Sequence, residues 1–270
     1  FGDYFGLVHA LAPADGAPCG TSELVLVLEP GREYRVQPSN GAPEATRTTT
    51  ADGMRVERFT ARGLARYKIE PGQPSALEHE PLVRVSTFKD WNAFASWWWS
   101  LIRRQIEVTP AMRAKVQELC AGKTTELEKI RAIYDFVTTE IRYTAWEFGV
   151  HGYKPYNTSV IFERRHGDCK DKALLIGAML GEIGIEAWPV LIRADDPRSA
   201  DDLTVAAVEQ FNHCISYVPA KGDRPAMFLD GTASYHPADT LPTMLCDIGA
   251  QMITVHGRTT AMKFRPSVRL

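Results

Sequence analysis

The chain opens in the short period of pleated strands. The apolar run Leu24-Val25-Leu26-Val27-Leu28, a turn at Pro30-Gly31, alternating Tyr34 and Val36, and the segment Thr48 to Met54 across Asp52-Gly53 follow one another between Thr21 and Ile69. Asp-Gly supplies the positive φ values of a tight hairpin turn, and β-branched residues suit a pleated surface, so this pattern predicts an antiparallel β domain. A Pro-bearing stretch from Pro71 to Pro81 and the apolar run Leu82 to Phe88 then lead to Asp90. Asp90 is placed to cap a helix carrying Trp91, Phe94, Trp98 and Leu101, which is expected to bridge the two halves.

The period then lengthens. Thr125-Glu126-Leu127-Glu128 has the form of a capping box, and Leu127, Ile130, Tyr134, Val137 and Ile141 follow on one helical stripe, with Glu128, Lys129, Arg131 and Glu140 on the exposed face. An irregular segment with Gly149, Gly152 and Pro155 precedes a second helix, predicted from about Cys169 to Glu182 and ended by Gly184. Its apolar residues, Ala173 to Leu180, occupy nearly the whole circumference, so it should be packed on all sides, with only its first turn polar. Strand-like runs follow at Ala187 to Ile192, Phe211 to Val218, Ala226 to Asp230 and Met252 to Val255. The expectation is an α+β chain in three parts: a β-rich domain over 1–88, a helical connector over 89–115, and helices packed on an antiparallel sheet over 116–270.

Composition narrows the function. With 44% apolar and 24% charged residues the chain is globular, and a net charge of −2 leaves no basic excess for a nucleic-acid backbone or an anionic membrane. The longest apolar stretch, Ala173 to Leu180, is far short of the roughly 18 to 20 residues that span a bilayer. Five cysteines, Cys19, Cys120, Cys169, Cys214 and Cys246, are too scattered for a disulfide scaffold and contain no C-x-x-C pair. The chain starts at Phe1 without a signal pattern, which reads as a mature or excised piece.

One constellation carries chemistry. Cys169 follows Gly167-Asp168 at a helix start, where free backbone N–H groups and the positive helix end favour thiolate over thiol. Downstream, Phe211 to Val218 and Met227 to Asp230 form a hairpin pair, and the midpoint of His213 and Asp230 falls between Lys221 and Gly222. Residues equidistant from a turn face each other, so the two are expected to be near-opposite neighbours. A carboxylate beside an imidazole fixes its tautomer and stabilises the imidazolium. Taken singly, each has a plainer reading: Cys169 an inert core thiol, His213 a half-buried strand residue, Asp230-Gly231 a strand-ending turn.

The segments Arg165-His166-Gly167-Asp168-Cys169-Lys170-Asp171-Lys172-Ala173, Asn212-His213 and Leu229-Asp230-Gly231-Thr232 together resemble the bacterial transglutaminase-like core over about Thr124 to Val255. The upstream Pro81-Leu82-Val83-Arg84-Val85-Ser86-Thr87 with Asp90-Trp91 is similar to the later portion of an uncharacterised β-rich domain that often precedes that core. The resemblance implies a papain-like fold with Cys169 as nucleophile, His213 as base and Asp230 as the residue orienting it. It implies attack on a carboxamide, a thioester, and transfer to water or an amine, with hydrolysis placed ahead of transamidation and a protein or peptide as substrate. The oxyanion donors would be the Cys169 amide and a group from Trp146 to Tyr153, with Trp146 or Tyr153 as candidates. The alternative is a non-catalytic binding or scaffolding module. Relatives are often exported, which points to the periplasm or exterior.

Other features have competing readings. Trp97-Trp98-Trp99 reads as interdomain packing ahead of a sugar platform, because Trp98 lies on the stripe of Trp91, Phe94 and Leu101. Lys170 and Lys172 either raise thiolate character or are solvated. The acidic loop Asp195 to Asp202 lacks the spaced ligands and glycine of a calcium site, so no cofactor is expected. His166 and Cys214 suggest zinc only if further ligands are present.

Overall fold

The computed structural model describes residues 4–13, 16–66, 68, 70, 76–194, 203–233, 252–254 and 262–264. The acidic loop 195–202, Cys246, Ile69, Val255 and the residues 71–75 of the Pro-bearing stretch lie outside them. The chain forms two compact units. Their division falls between Phe94 and Ala95, and residues 203–210 group with the first unit.

The first unit contains six strands: β1 Gly6–Ala10, β2 Cys19–Leu28, β3 Arg35–Ser39, β4 Thr46–Thr49, β5 Arg55–Leu64 and β6 Leu82–Ser86, with a single helical turn, α1 Ala76–His79. They make two antiparallel three-stranded sheets, ordered β1-β6-β3 and β2-β5-β4. The pleat divides the continuous run Leu24 to Leu28: Leu26 and Leu28 join Phe59, Ala61, Val83 and Val85 in the core, while Val25 and Val27 stand exposed. The β4–β5 hairpin turns at Asp52-Gly53 as the residue pattern requires, with Gly53 at φ +85°. All five residues of β6 are buried, which the polar members tolerate because they are bonded: Arg84 Nη1 donates to Ser39 Oγ at 2.9 Å and Ser86 Oγ to Ala206 O at 2.5 Å. Strand β1 was not anticipated, since Gly6 to Ala10 carries no strong alternation.

Helix α2, Trp91–Ile102, starts where Asp90 Oδ1 accepts from Ala93 N at 2.8 Å. Its buried side chains are Phe94, Ala95, Trp98 and Ile102, with Leu101 half-buried, so the inner stripe ends one position later than expected. In the first unit Trp91 and Phe94 pack edge to face at 5.5 Å, and Trp91 Nε1 donates to Leu203 O. In the second, Trp98 Nε1 donates to Tyr153 O at 2.9 Å, and Trp97 and Trp99 meet Tyr153 and Trp188, each at 6.0 Å.

The second unit continues with α3 Pro110–Cys120, α4 Glu126–Glu140, β7 Arg142–Tyr143, α5 Thr158–Arg164, β8 His166–Gly167, α6 Cys169–Gly181, β9 Trp188–Ile192, β10 His213–Val218, β11 Met227–Leu229, β12 Met252–Thr254 and β13 Met262–Phe264. The last five strands form one antiparallel sheet ordered β11-β10-β9-β12-β13. Helices therefore precede an antiparallel sheet, the α+β order. The Thr125–Glu128 capping box is present at the start of α4, and α6 is buried along almost its whole length. Helices α3 and α5 went unread, although Thr109 before Pro110 and Asn157 before Thr158 cap them in the ordinary way.

The β10–β11 register differs from the expectation. Ser216 pairs with Leu229 and Val218 with Met227, and Lys221 bridges Arg224, so the apex is Gly222-Asp223 instead of Lys221-Gly222. Gly222 supplies the positive φ, +58°, that a two-residue loop demands there. Asp230 therefore falls opposite Ile215, not His213. His213, two residues along, is its diagonal neighbour on the same side, a separation that longer side chains span.

The alternation in β2 gives a direct contrast. Leu26→Ala should cost about 2–5 kcal/mol in denaturant unfolding, as for a filled core position. Val27→Ala, 58% exposed, should cost less than about 1 kcal/mol. Equal losses would place both side chains in the core.

Candidate active site

The start of α6 is built from the motif around Cys169. Helix α5 ends at Arg165 in the left-handed conformation, φ +59°, and its side chain lies over the Phe162 and Phe136 rings. Strand β8 then pairs in parallel with β7, with Arg142 N donating to Arg165 O and Thr144 N to Gly167 O, each at 2.9 Å. Asp168 is the N-cap of α6: its side chain accepts from Asp171 N at 3.1 Å, while the Asp171 carboxylate accepts from Asp168 N at 3.3 Å. Asp171, 1% exposed, also accepts from Tyr156 N at 2.8 Å and Arg164 Nη2 at 2.9 Å. A Cβ on residue 167 would lie 2.7 Å from the Asp171 Cβ, so only glycine fits there. Burial leads the causes that raise the Asp171 carboxyl above its usual value, with the Asp168 charge adding to it.

Cys169 is thus the first helical residue, half-buried, with its own amide lacking an intrahelical partner. The structure brings it together with both downstream residues. His213 Nε2 lies 2.8 Å from Asp230 Oδ2, and the Cys169 side chain is near enough to the imidazole to act with Asp230 on its ionisation. The other Asp230 oxygen, Oδ1, accepts from Thr232 N at 2.8 Å and Thr232 Oγ1 at 2.7 Å. A Cβ on Gly231 would come within 3.0 Å of the Lys172 Cβ, so the Asp-Gly-Thr turn sits tightly on the first turn of α6. Thr232 went unassigned in the sequence reading, although a threonine two residues after an aspartate is the signal for such a turn.

The electrostatics follow from these contacts. Burial works against charge on His213, but hydrogen bonds to Asp230 and Cys169 and their negative charges outweigh it, pushing the imidazole up to about 10. Burial would raise Asp230, yet the hydrogen bond and charge of His213, with the Thr232 donors, hold it below the usual carboxylate value.

The neighbouring residues separate into two groups. Lys170 and Lys172 are buried, not solvated: Lys170 Nζ pairs with Asp168, and Lys172 Nζ donates to Ile141 O at 2.6 Å. Burial pushes Lys172 down to about 8 against the opposing pull of Asp230. Tyr143, not anticipated, stands on β7, paired with Gly167 two residues before Cys169; burial first, then the charges of Cys169, Glu147, Asp168 and Asp230, push its phenol up to about 12. Trp146 is half exposed with its ring 5.9 Å from that of His166, and Tyr153 is engaged by α2 through its carbonyl and ring. Among the described residues, Glu147, Asp168 and Cys169 are the one group of three potential metal ligands whose donor atoms lie within 4.8 Å of one another; His166 and Cys214 do not belong to it. No helix of the described residues is long and apolar enough to cross a membrane.

A half-buried thiol at a capped helix start, grouped with an imidazole that is bonded to a carboxylate, on helices packed against an antiparallel sheet, is the arrangement of the transglutaminase-like fold class. Residues 113–223 match the family model of the transglutaminase-like superfamily; Cys169 and His213 lie inside the matched segment and Asp230 seven residues beyond it. Among solved structures, a candidate protease from Parabacteroides distasonis is similar in fold, with a TM-score of 0.74 at 15% identity over 98% of this chain and 48% of that one. The chain thus spans about half the length of that relative. A candidate cysteine protease from Cytophaga hutchinsonii (12% identity, 99% and 90% covered) and the periplasmic domain of TgpA from Pseudomonas aeruginosa (14%, 84% and 76%) align with TM-scores of only 0.37 and 0.32. No curated protein matches the chain.

The His213–Asp230 pair makes stability depend on pH. His213 is raised above its ordinary 6.5, so its contribution is complete below about 6.5 and is lost as pH climbs to about 10. Asp230 is lowered from 3.8, so its contribution is present above that value and is lost in acid. Denaturant unfolding of the protein and of His213→Ala across pH should show the largest difference between about pH 4 and 6.5, declining toward pH 10. A difference that does not change from pH 5 to 10 would contradict the ion pair.

Proposed function

We propose that the chain is a thiol-dependent acyl-transfer enzyme acting on peptide or isopeptide amide bonds, with water favoured over an amine as the acceptor. The observation that carries this reading is the grouping of Cys169, at the start of a buried helix, with the hydrogen-bonded pair His213 and Asp230.

In the proposed cycle the Cys169 thiolate adds to the amide carbonyl carbon, and the carbonyl oxygen takes up the negative charge. The His213 imidazolium then donates its proton to the amide nitrogen as the C–N bond breaks, leaving a thioester and a neutral ring. Water or a primary amine gives its proton to His213 and attacks the thioester, and the C–S bond breaks to regenerate thiolate and imidazolium. Asp230 holds the ring in the tautomer that serves both steps. The Cys169 amide is the first oxyanion donor. For the second we favour Tyr143 over Trp146 and Tyr153, because β7 pairs it with Gly167, two residues before Cys169, and its phenol is a donor that keeps its proton.

The test is mass spectrometry of the protein acid-quenched during incubation with a panel of peptide amides. A thioester should be trapped on Cys169 and be absent in Cys169→Ala. Asp230→Asn should slow turnover by roughly 10²–10⁴-fold, and Tyr143→Phe by about tenfold or more. Added primary amine reports the acceptor: conversion to free acid at an unchanged rate supports hydrolysis, and an amide product supports transamidation. Absence of any adduct across the panel, with turnover unaffected in Cys169→Ala, would favour a binding module and sink the enzymatic reading.

A further inference from the structure

Exposed aromatic surface is concentrated beside the thiol. Tyr143, Trp146 and Phe148 fall within six consecutive positions and are 50%, 50% and 76% exposed. Scattered exposed apolar residues are ordinary, whereas a run of aromatic rings next to a reactive group marks a recognition surface. The segment's place is fixed at several points. Tyr143 pairs with Gly167, two residues before Cys169, and the Trp146 ring meets His166. Between the two exposed rings, Glu147 has a carboxylate oxygen within 4.8 Å of Cys169 Sγ. Glu147 and Asp168 share a single cation, Lys170, at 3.9 Å from the former, so this rim carries net negative charge even before the thiolate is counted.

We propose that residues 143–148 form the acyl-donor subsite, accepting a peptide with an aromatic or large aliphatic side chain next to the residue that carries the reactive carbonyl and rejecting an acidic one. The assignment rests on the reading of Cys169 as nucleophile. An extended peptide advances about 3.3 Å per residue, so a carbonyl held at the sulfur sets its neighbour's side chain one such step away, on the segment where Trp146 and Phe148 flank Glu147, whose carboxylate is within 4.8 Å of that sulfur. Covering those rings removes apolar area from water, which is the source of the preference. A carboxylate in the same place would meet Glu147 at short range.

The probes are acetyl-X-glycyl chloromethyl ketones with X as Phe, Ala or Asp, in which the Cys169 sulfur forms a bond to the methylene carbon and chloride leaves. Each labelling rate is divided by the iodoacetamide rate of the same protein, which cancels changes in thiol reactivity. The Phe probe should label Cys169 about tenfold faster than the Ala probe, with the Asp probe slowest. In the Trp146→Ala/Phe148→Ala variant the Phe-to-Ala ratio should fall toward one, and Glu147→Gln should raise the Asp probe relative to Ala. Equal rates for the three probes, with iodoacetamide still labelling Cys169, would overturn the subsite and leave the nucleophile in place. A preference retained in the double variant would also overturn it. Failure of every reagent to label Cys169 in the folded protein would overturn the nucleophile and the subsite together.

Discussion

The site depends on how one buried carboxylate is satisfied. Asp171 is almost wholly out of water, and an ionised carboxylate there is tolerable only if its oxygens are bonded and its charge is met. It draws in Arg164 from the end of α5, the Tyr156 amide from the preceding loop and the Asp168 amide from the helix cap. These three bonds hold the turn that delivers Cys169 as the first residue of α6. Gly167 belongs to the same constraint, because the carboxylate lies where any other residue's side chain would begin. The position of the sulfur is therefore set by packing and polar satisfaction some distance from the sulfur itself.

A second element, the sheet, brings the other two groups. His213 opens β10 and Asp230 immediately follows β11, so both stand where the ladder ends and side chains are released from the pleat. The β10–β11 turn is anchored by Lys221 and Arg224 on Glu126, at 2.7 and 3.1 Å, which fixes the hairpin against the start of α4. Thr232 holds one Asp230 oxygen and leaves the other for the imidazole. Helix and sheet each contribute one part of the site, Cys169 from α6 and the bonded pair His213 and Asp230 from the β10–β11 hairpin.

Much of this was legible along the chain, and the residues that were not share a cause. Capping boxes, the stripe of α4, the buried circumference of α6 and the β4–β5 turn are local, so three to five neighbouring residues suffice to read them. The grouping of Cys169, His213 and Asp230 was also legible, although the hairpin apex was placed one residue early; because the error moved Asp230 by two positions, it stayed on the same side as His213. Burial of Lys170 and Lys172 was not legible, since Asp168 and the Ile141 carbonyl become their partners only through the fold. The same holds for residues 203–210, which meet Ser86 across 120 positions of sequence. Tyr143 was passed over because nothing near it marks the two-residue parallel pairing with β8.

Charge balance sets the groups around Cys169 apart from one another. Each buried carboxylate at the head of α6 has its own cation: Asp168 has Lys170, Asp171 has Arg164, and Asp230 has His213. Lys172 is held on a neutral carbonyl, with burial pushing it down to about 8, so its charge weakens just above neutral pH. Within this set His213 is bonded through Nε2 to Asp230, and both Asp230 and Cys169 act to raise it. The buried pairs hold the charges at the head of α6 in place around the half-buried Cys169.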